Sequence, residues 1–154
     1  MAKSKFVMSN RKVVQEINSA TVLTKNDCGK VFLVDMSSSV APYTVTLPSL
    51  QDAEGGWNAE FIVGRSGSVA KTVTIAQHSD DNTSIKKQLA FDETGNDLDG
   101  SLAEYMTFNS GSPDLLEKPN AGDRIRIWSV PDNGQYDVDA HWYAHCYSLS
   151  GAIG

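Results

Sequence analysis

The apolar and polar positions of this chain repeat with the period of β-structure far more often than with that of a helix. Residues 43–47, YTVTL, set Tyr43, Val45 and Leu47 on one face and Thr44 and Thr46 on the other. That is the period-2 pattern of a half-buried strand. Pro48 ends the run, because proline has no N–H to give a ladder. Residues 29–36, GKVFLVDM, are apolar on both faces, as a strand inside a core would be. Residues 57–64, WNAEFIVG, and 71–76, KTVTIA, predict two further strands, the second with Val73 and Ile75 inward. The Gly/Ser-rich GRSGSVA between them predicts a hairpin or adjacent strands.

The last third repeats the pattern. GDRIRIWSV turns Ile125 and Ile127 inward and Arg124 and Arg126 outward, and PDNG at 131–134 is a turn signal. A long strand is then predicted over 135–149. Its core face reads Val138, Ala140, Trp142, Ala144 and Cys146. Its other face reads Asp137, Asp139, His141, Tyr143, His145 and Tyr147. The acidic middle, from Gln77 to Pro119, predicts short strands around 85–91 and 102–108, then a long loop at 110–122 with a helical turn at 113–117. The only longer helix is predicted over 10–18. Seven or eight strands at this spacing predict an all-β fold, an antiparallel β-sandwich or barrel of jelly-roll type.

Composition narrows the function classes. A length of 154 residues suits one domain, and 40% apolar with 21% charged residues suits a globular one. The net charge of −6 argues against a nucleic-acid partner, which needs clustered Lys and Arg. The charge is divided unevenly. Residues 1–18 carry Lys3, Lys5, Arg11 and Lys12 against Glu16 alone, a net +3, so residues 19–154 carry −9. This predicts an extended basic arm over 1–18 ahead of a single β-domain over 19–154. Phe6, Val7, Met8, Val13, Val14 and Ile17 are more apolar residues than a solvated tail needs. The arm is therefore expected to dock on a partner through Lys3, Lys5, Phe6, Arg11 and Lys12.

The opening MAKSKFVMSNRKVVQEINS has no apolar run fit for a secretion signal, and no stretch approaches the roughly 20 apolar residues of a membrane helix. No membrane partner is expected. Cys28 and Cys146 form no CxxC pair and read as small buried apolar residues.

Candidate chemistry is sparse. No GxSxG, GxxxxGK[ST] or GxGxxG string occurs, and no enzyme is expected. His141 and His145 share a strand face with Asp137 and Asp139. Side chains two apart on a strand are separated by roughly 6.6–6.8 Å, however, and no second cluster has zinc-like spacing. Asp80 and Asp81 are adjacent and would point to opposite faces of a strand. No metal and no other cofactor is expected. Trp57 and Trp142 fall on core faces, whereas Trp128 shares a face with Arg124 and Arg126. Trp and Arg are enriched in interface hot spots. Arg124, Arg126 and Trp128, with His141, Tyr143 and His145 of the next strand, are the candidate contact residues of the domain.

The succession TVLTKNDCGKVFLVDMSSS, YTVTLPSL, GGWNAEFIVG, KTVTIAQ, AGDRIRIWSV and HWYA resembles small β-domains of bacteriophage virion structural proteins, over residues 20–77 and 121–145. Such domains occur in head-decoration proteins, head fibres and tail-fibre tips. The resemblance implies a place on the capsid surface of a virion, after synthesis in the host cytoplasm, with the major capsid protein as partner and no catalytic residues. The modest length and the lack of an internal repeat favour a decoration (cement) protein, a class commonly trimeric, over a long fibre. The alternative is a carbohydrate- or receptor-binding module of a fibre tip. An enzyme with a non-local site ranks last.

Overall fold

A computed structural model describes residues 12–37, 42–65, 72–81, 85–90, 101–103, 105–109, 121–132 and 140–147. Strands dominate them: β1 (Val14–Ile17), β2 (Thr21–Val22), β3 (Val31–Asp35), β4 (Tyr43–Thr46), β5 (Asn58–Arg65), β6 (Thr72–Ala76), β7 (Ile85–Ala90), β8 (Ser101–Ala103), β9 (Tyr105–Asn109), β10 (Arg124–Val130) and β11 (His141–Tyr147). Helix among these residues amounts to α1 (Leu50–Ala53) and a single 3-10 turn at Lys25–Asp27. The fold is all-β.

The strands form two sheets. One has seven strands in the order β1-β3-β5-β10-β11-β7-β8, and the other has four in the order β2-β4-β6-β9. From β1 to β6 the chain changes sheet with every strand. It winds as three stacked coils, with Val14, Val31 and Glu60 in register on one sheet and Thr21, Val45 and Ile75 on the other. A strand that leaves a sheet and returns after a full coil runs in its original direction. The pairs β1–β3, β3–β5, β2–β4 and β4–β6 are therefore parallel, as is β7–β11.

This corrects three expectations. The sheets are mixed rather than antiparallel. β5 and β6 lie in different sheets rather than forming a hairpin. The segment expected as one strand at 102–108 divides into β8 and β9, which belong to opposite sheets. Period-2 alternation tells which side of a strand is buried, but neither its sheet nor its direction.

The inward faces meet in one core. Phe32, Val34, Phe61, Ile125, Ile127 and Trp142 of the large sheet are buried with Val45, Val73, Ile75 and Phe108 of the small one. Phe32 stacks on Phe61 at 5.3 Å between centroids, and Trp57 meets Trp142 edge to face at 5.4 Å. Tyr43, Leu47, Ala144 and Cys146 are buried as their alternation predicts. Each fully buried aliphatic side chain here contributes roughly 1.5–3 kcal/mol.

Ser49 caps α1, its Oγ accepting the Asp52 N–H at 3.1 Å. Glu54, Gly55 and Gly56 then turn the chain in the left-handed region, with φ of 52, 75 and 78°. A Cβ on Gly55 would lie 2.8 Å from Pro131, so glycine there permits both the turn and the close approach. The turn delivers Trp57 to Ser129, whose Oγ accepts the Trp57 N–H at 3.1 Å.

Further departures concern single segments. Where a helix was expected over 10–18, residues 14–17 form strand β1, with Ile17 buried in the core. β-Branched Val13, Val14 and Ile17 suit a pleated edge better than a helix. Cys28 is exposed rather than buried, because it follows the 3-10 turn, and Cys28 and Cys146 are not joined by a disulfide. The arm residues 1–11, the loop and helical turn within 110–120, and the end of the turn at 133–134 lie outside the described residues.

Candidate partner-binding face

Two strands place most of the candidate contact residues. β10 alternates Arg124, Arg126 and Trp128 outward with Ile125 and Ile127 inward, and β11 alternates His141, Tyr143, His145 and Tyr147 outward with Trp142, Ala144 and Cys146 inward. The two strands are antiparallel neighbours. Their register sets Arg124 opposite Tyr147, Arg126 opposite His145, Trp128 opposite Tyr143 and Val130 opposite His141. On either side, β5 sets Glu60 opposite Arg126, and β7 sets Lys86 opposite Tyr143. The outer face of the seven-stranded sheet is thus a grid of aromatic and charged side chains.

The rings contact one another in sequence. Trp128 stacks against Tyr143 at 6.0 Å with 16° between planes and meets His145 edge-on at 4.8 Å. His145 meets Tyr147 edge-on at 6.4 Å. The Arg124 guanidinium lies over the Tyr147 ring at 4.5 Å, and the Lys86 ammonium over the Tyr143 ring at 5.6 Å. A cation over a ring face is held by the ring quadrupole.

Glu60 anchors the cationic side of the face. Its side chain is buried, and its carboxylate meets Lys12 Nζ at 3.2 Å, Arg124 at 3.6 Å and Arg126 at 3.8 Å. A buried carboxylate needs such partners to offset its lost hydration. The Lys12 contact also ties the chain ahead of β1 to β5.

Six of the candidate residues are therefore on one surface: Arg124, Arg126, Trp128, His141, Tyr143 and His145. Lys12 joins it at the β1 edge through Glu60. Lys3, Lys5, Phe6 and Arg11 lie outside the described residues, as do Asp137 and Asp139. His141 and His145 stand four residues apart on a straight strand, about 13 Å along it, so their rings do not converge on one ion. Among the described residues, no group of three or more His, Cys, Asp or Glu side chains could hold a metal ion. Asp81 of the suspected Asp80–Asp81 pair accepts hydrogen bonds from the Trp142 indole and the Leu50 amide.

Three members of the face were not singled out from the sequence. Tyr147 follows from the alternation of β11. Glu60 is a lone acid in an otherwise apolar strand, a signal in itself. Lys86 gave no such signal, because it reaches the face only through the parallel pairing of β7 with β11. No helix among the described residues is long and apolar enough to cross a membrane. Comparison with protein-family models, with curated proteins and with solved structures found no match to the chain.

Proposed function

We propose that this protein is a virion structural protein, a decoration (cement) protein that binds the assembled head shell of a phage through the outer face of its large sheet. The observation that carries this reading is the contiguous surface of Arg124, Trp128, Tyr143, His145 and Tyr147 on a regular sheet. Trp, Tyr and Arg dominate interface hot spots, and a sheet that already holds their rotamers reduces the ordering cost of binding. The partner in this reading is the major capsid protein on the outer capsid surface. The work is done by burial of surface rather than by catalysis. Because only the assembled shell presents the docking site, binding stabilises the shell by mass action. The two sheets then serve as a β-sandwich that carries the face.

The test is cosedimentation of the full chain with purified, undecorated head shells of the phage that encodes it. Wild type should pellet with the shells, and Trp128→Ala and Tyr143→Ala should bind at least about tenfold more weakly with unchanged melting temperatures. Failure of the wild type to pellet would overturn the proposal.

A second reading, a carbohydrate- or receptor-binding module of a fibre tip, is favoured by the near-parallel rings of Trp128 and Tyr143. Such rings can stack on the apolar face of a sugar. The three-coil winding is also a geometry that extends along one axis. Binding to a glycan array that Trp128→Ala abolishes would decide for this reading over the first.

A further inference from the structure

Among the described residues the exposed large apolar side chains are Val13, Val14 and Val22, at 60%, 59% and 66% exposure. All three belong to the first coil, on or beside β1 and β2, which end the seven-stranded and the four-stranded sheet respectively. An edge strand offers a row of backbone groups to any further strand. Natural edges are usually guarded by charge or proline; this one carries exposed valines between two opposite charges, Lys12 and Glu16.

The register tells which groups are offered. Val14 stands opposite Val31, and the Val31 N–H donates to the Val13 carbonyl at 2.9 Å. Along a strand the N–H and C=O of successive residues point to alternate sides. Val13, Gln15 and Ile17 therefore turn theirs toward β3, while Val14 and Glu16 turn theirs to the side where no described strand lies. By the same alternation Lys12, Val14 and Glu16 share the outer face, as the contact of Lys12 with Glu60 requires.

We infer that a second copy of this chain occupies the edge, the two β1 strands pairing antiparallel about a two-fold axis at Val14. In that register Val14 faces Val14 of the second copy, and the two residues exchange both backbone hydrogen bonds. Lys12 comes opposite Glu16 of the second copy, and symmetry repeats the pair. Centring the axis on Gln15 would oppose Val14 to Glu16, and centring it on Glu16 would set two carboxylates against each other. Opposite charges directly across a ladder are favourable and like charges are not, so the charges select the register centred on Val14.

Lys12 then stands between two acids, Glu60 of β5 on one side and Glu16 of the second copy on the other. Its side chain is 55% exposed while in contact with Glu60, and an ammonium has three donors. The seven-stranded sheets of both copies become one continuous sheet, and Val13 is covered by Gln15 of the second copy. An isologous pair closes on itself, so the assembly is a dimer, in contrast to the trimer that the phage resemblance implies. The pairing holds whether or not the protein binds a head shell.

The test is the mass of the full chain by light scattering across a concentration series, with Lys12→Glu, Glu16→Lys, Val14→Lys and wild type. Wild type should have twice the mass of one chain. Each charge reversal turns both ion pairs into repulsions and should weaken the dimer by roughly tenfold or more. Val14→Lys, at an exposed position, should do the same by opposing two ammonium groups on the axis. An equimolar mixture of Lys12→Glu and Glu16→Lys should recover the dimer, because each then supplies the charge the other lacks. A misfolded variant could not give that rescue. A monomeric or trimeric wild type, single variants as dimeric as wild type, or a mixture that stays monomeric would each overturn the pairing. If deletion of residues 1–11 converted a monomeric wild type to a dimer, the edge would be covered by the chain's own N-terminal residues, which also overturns it.

Discussion

One carboxylate, that of Asp81, holds both the indole of Trp142 and the start of α1. Its Oδ2 accepts the Trp142 Nε1–H at 3.1 Å, and its Oδ1 accepts the Leu50 N–H at 2.9 Å. Trp142 is fully buried, so its N–H has no water to fall back on. Asp81→Ala should lower stability by about 2–3 kcal/mol, the cost of leaving buried donors unpaired. Asp81→Asn should cost less, because an amide oxygen still accepts one of the two bonds. Urea unfolding of both variants, with Trp142→Phe to complete a double-mutant cycle, measures the coupling.

The close approach of Gly55 to Pro131 predicts a contrast between neighbouring glycines. Gly55→Ala places a Cβ 2.8 Å from Pro131 and also strains a φ of 75°, whereas at Gly56 the φ of 78° is strained but no atom lies within 4 Å. Gly56→Ala should cost about 1–2 kcal/mol, the left-handed penalty alone. Gly55→Ala should cost more, roughly 2–4 kcal/mol, because overpacking is added. Equal losses in thermal melts would show that Pro131 yields without cost.

Tyr43 predicts a dependence on alkaline pH. Its hydroxyl donates to the Ile17 carbonyl at 2.8 Å and lies 3.3 Å from the Asp35 carbonyl. Burial above all pushes the phenol well above its usual value near 10, because the phenolate would lose its hydration. The unfolded chain then releases this proton at lower pH than the folded one. The contribution is fully present below about pH 10 and is lost as pH rises beyond it. Wild type should lose about 1 kcal/mol more than Tyr43→Phe between pH 10 and 11. Chemical denaturation at these two values reads the difference. Parallel losses in both proteins would mean that Tyr43 ionises freely in the fold.

Truncation separates the two parts of the N-terminal segment. Deleting residues 1–18 removes β1, the buried Ile17 and the Lys12–Glu60 ion pair, and it takes the Ile17 carbonyl from Tyr43. It should cost about 2–4 kcal/mol more than deleting residues 1–11. Identical melting temperatures of the two truncations would show that β1 adds nothing to the fold.

Burial is legible in the sequence where a single strand carries its own signal. Val45, Val73 and Ile75, Ile125 and Ile127, and Trp142 all face the core because alternation next to turn residues states which side is wet. The outward grid of Arg124, Arg126, Trp128, Tyr143 and His145 followed from the same rule. Pairing was less legible. Val14, Val31 and Glu60 occupy one row of the large sheet although 17 and 29 residues separate them. The coils are thus unequal in length, and no fixed period betrays them. The TVT strings at 44–46 and 72–74 do not even stack residue on residue, since Thr44 pairs with Thr74. The anchoring of the face by Glu60 depends on Lys12 from ahead of β1 and on Arg124 and Arg126 of β10, a relation between distant segments that no local pattern encodes.

The winding that joins β1 to β6 also bears on how such a chain could grow. Successive coils pair through β1–β3–β5 on one sheet and β2–β4–β6 on the other, and the last coil pairs onward with β10 and β9. An extra coil duplicated between β4 and β5 would find its pairing partners already in place, and the neighbours would keep theirs. The length of the stack is then a quantity open to change by tandem duplication, while the surface of β10 and β11 stays constant beside its last coil.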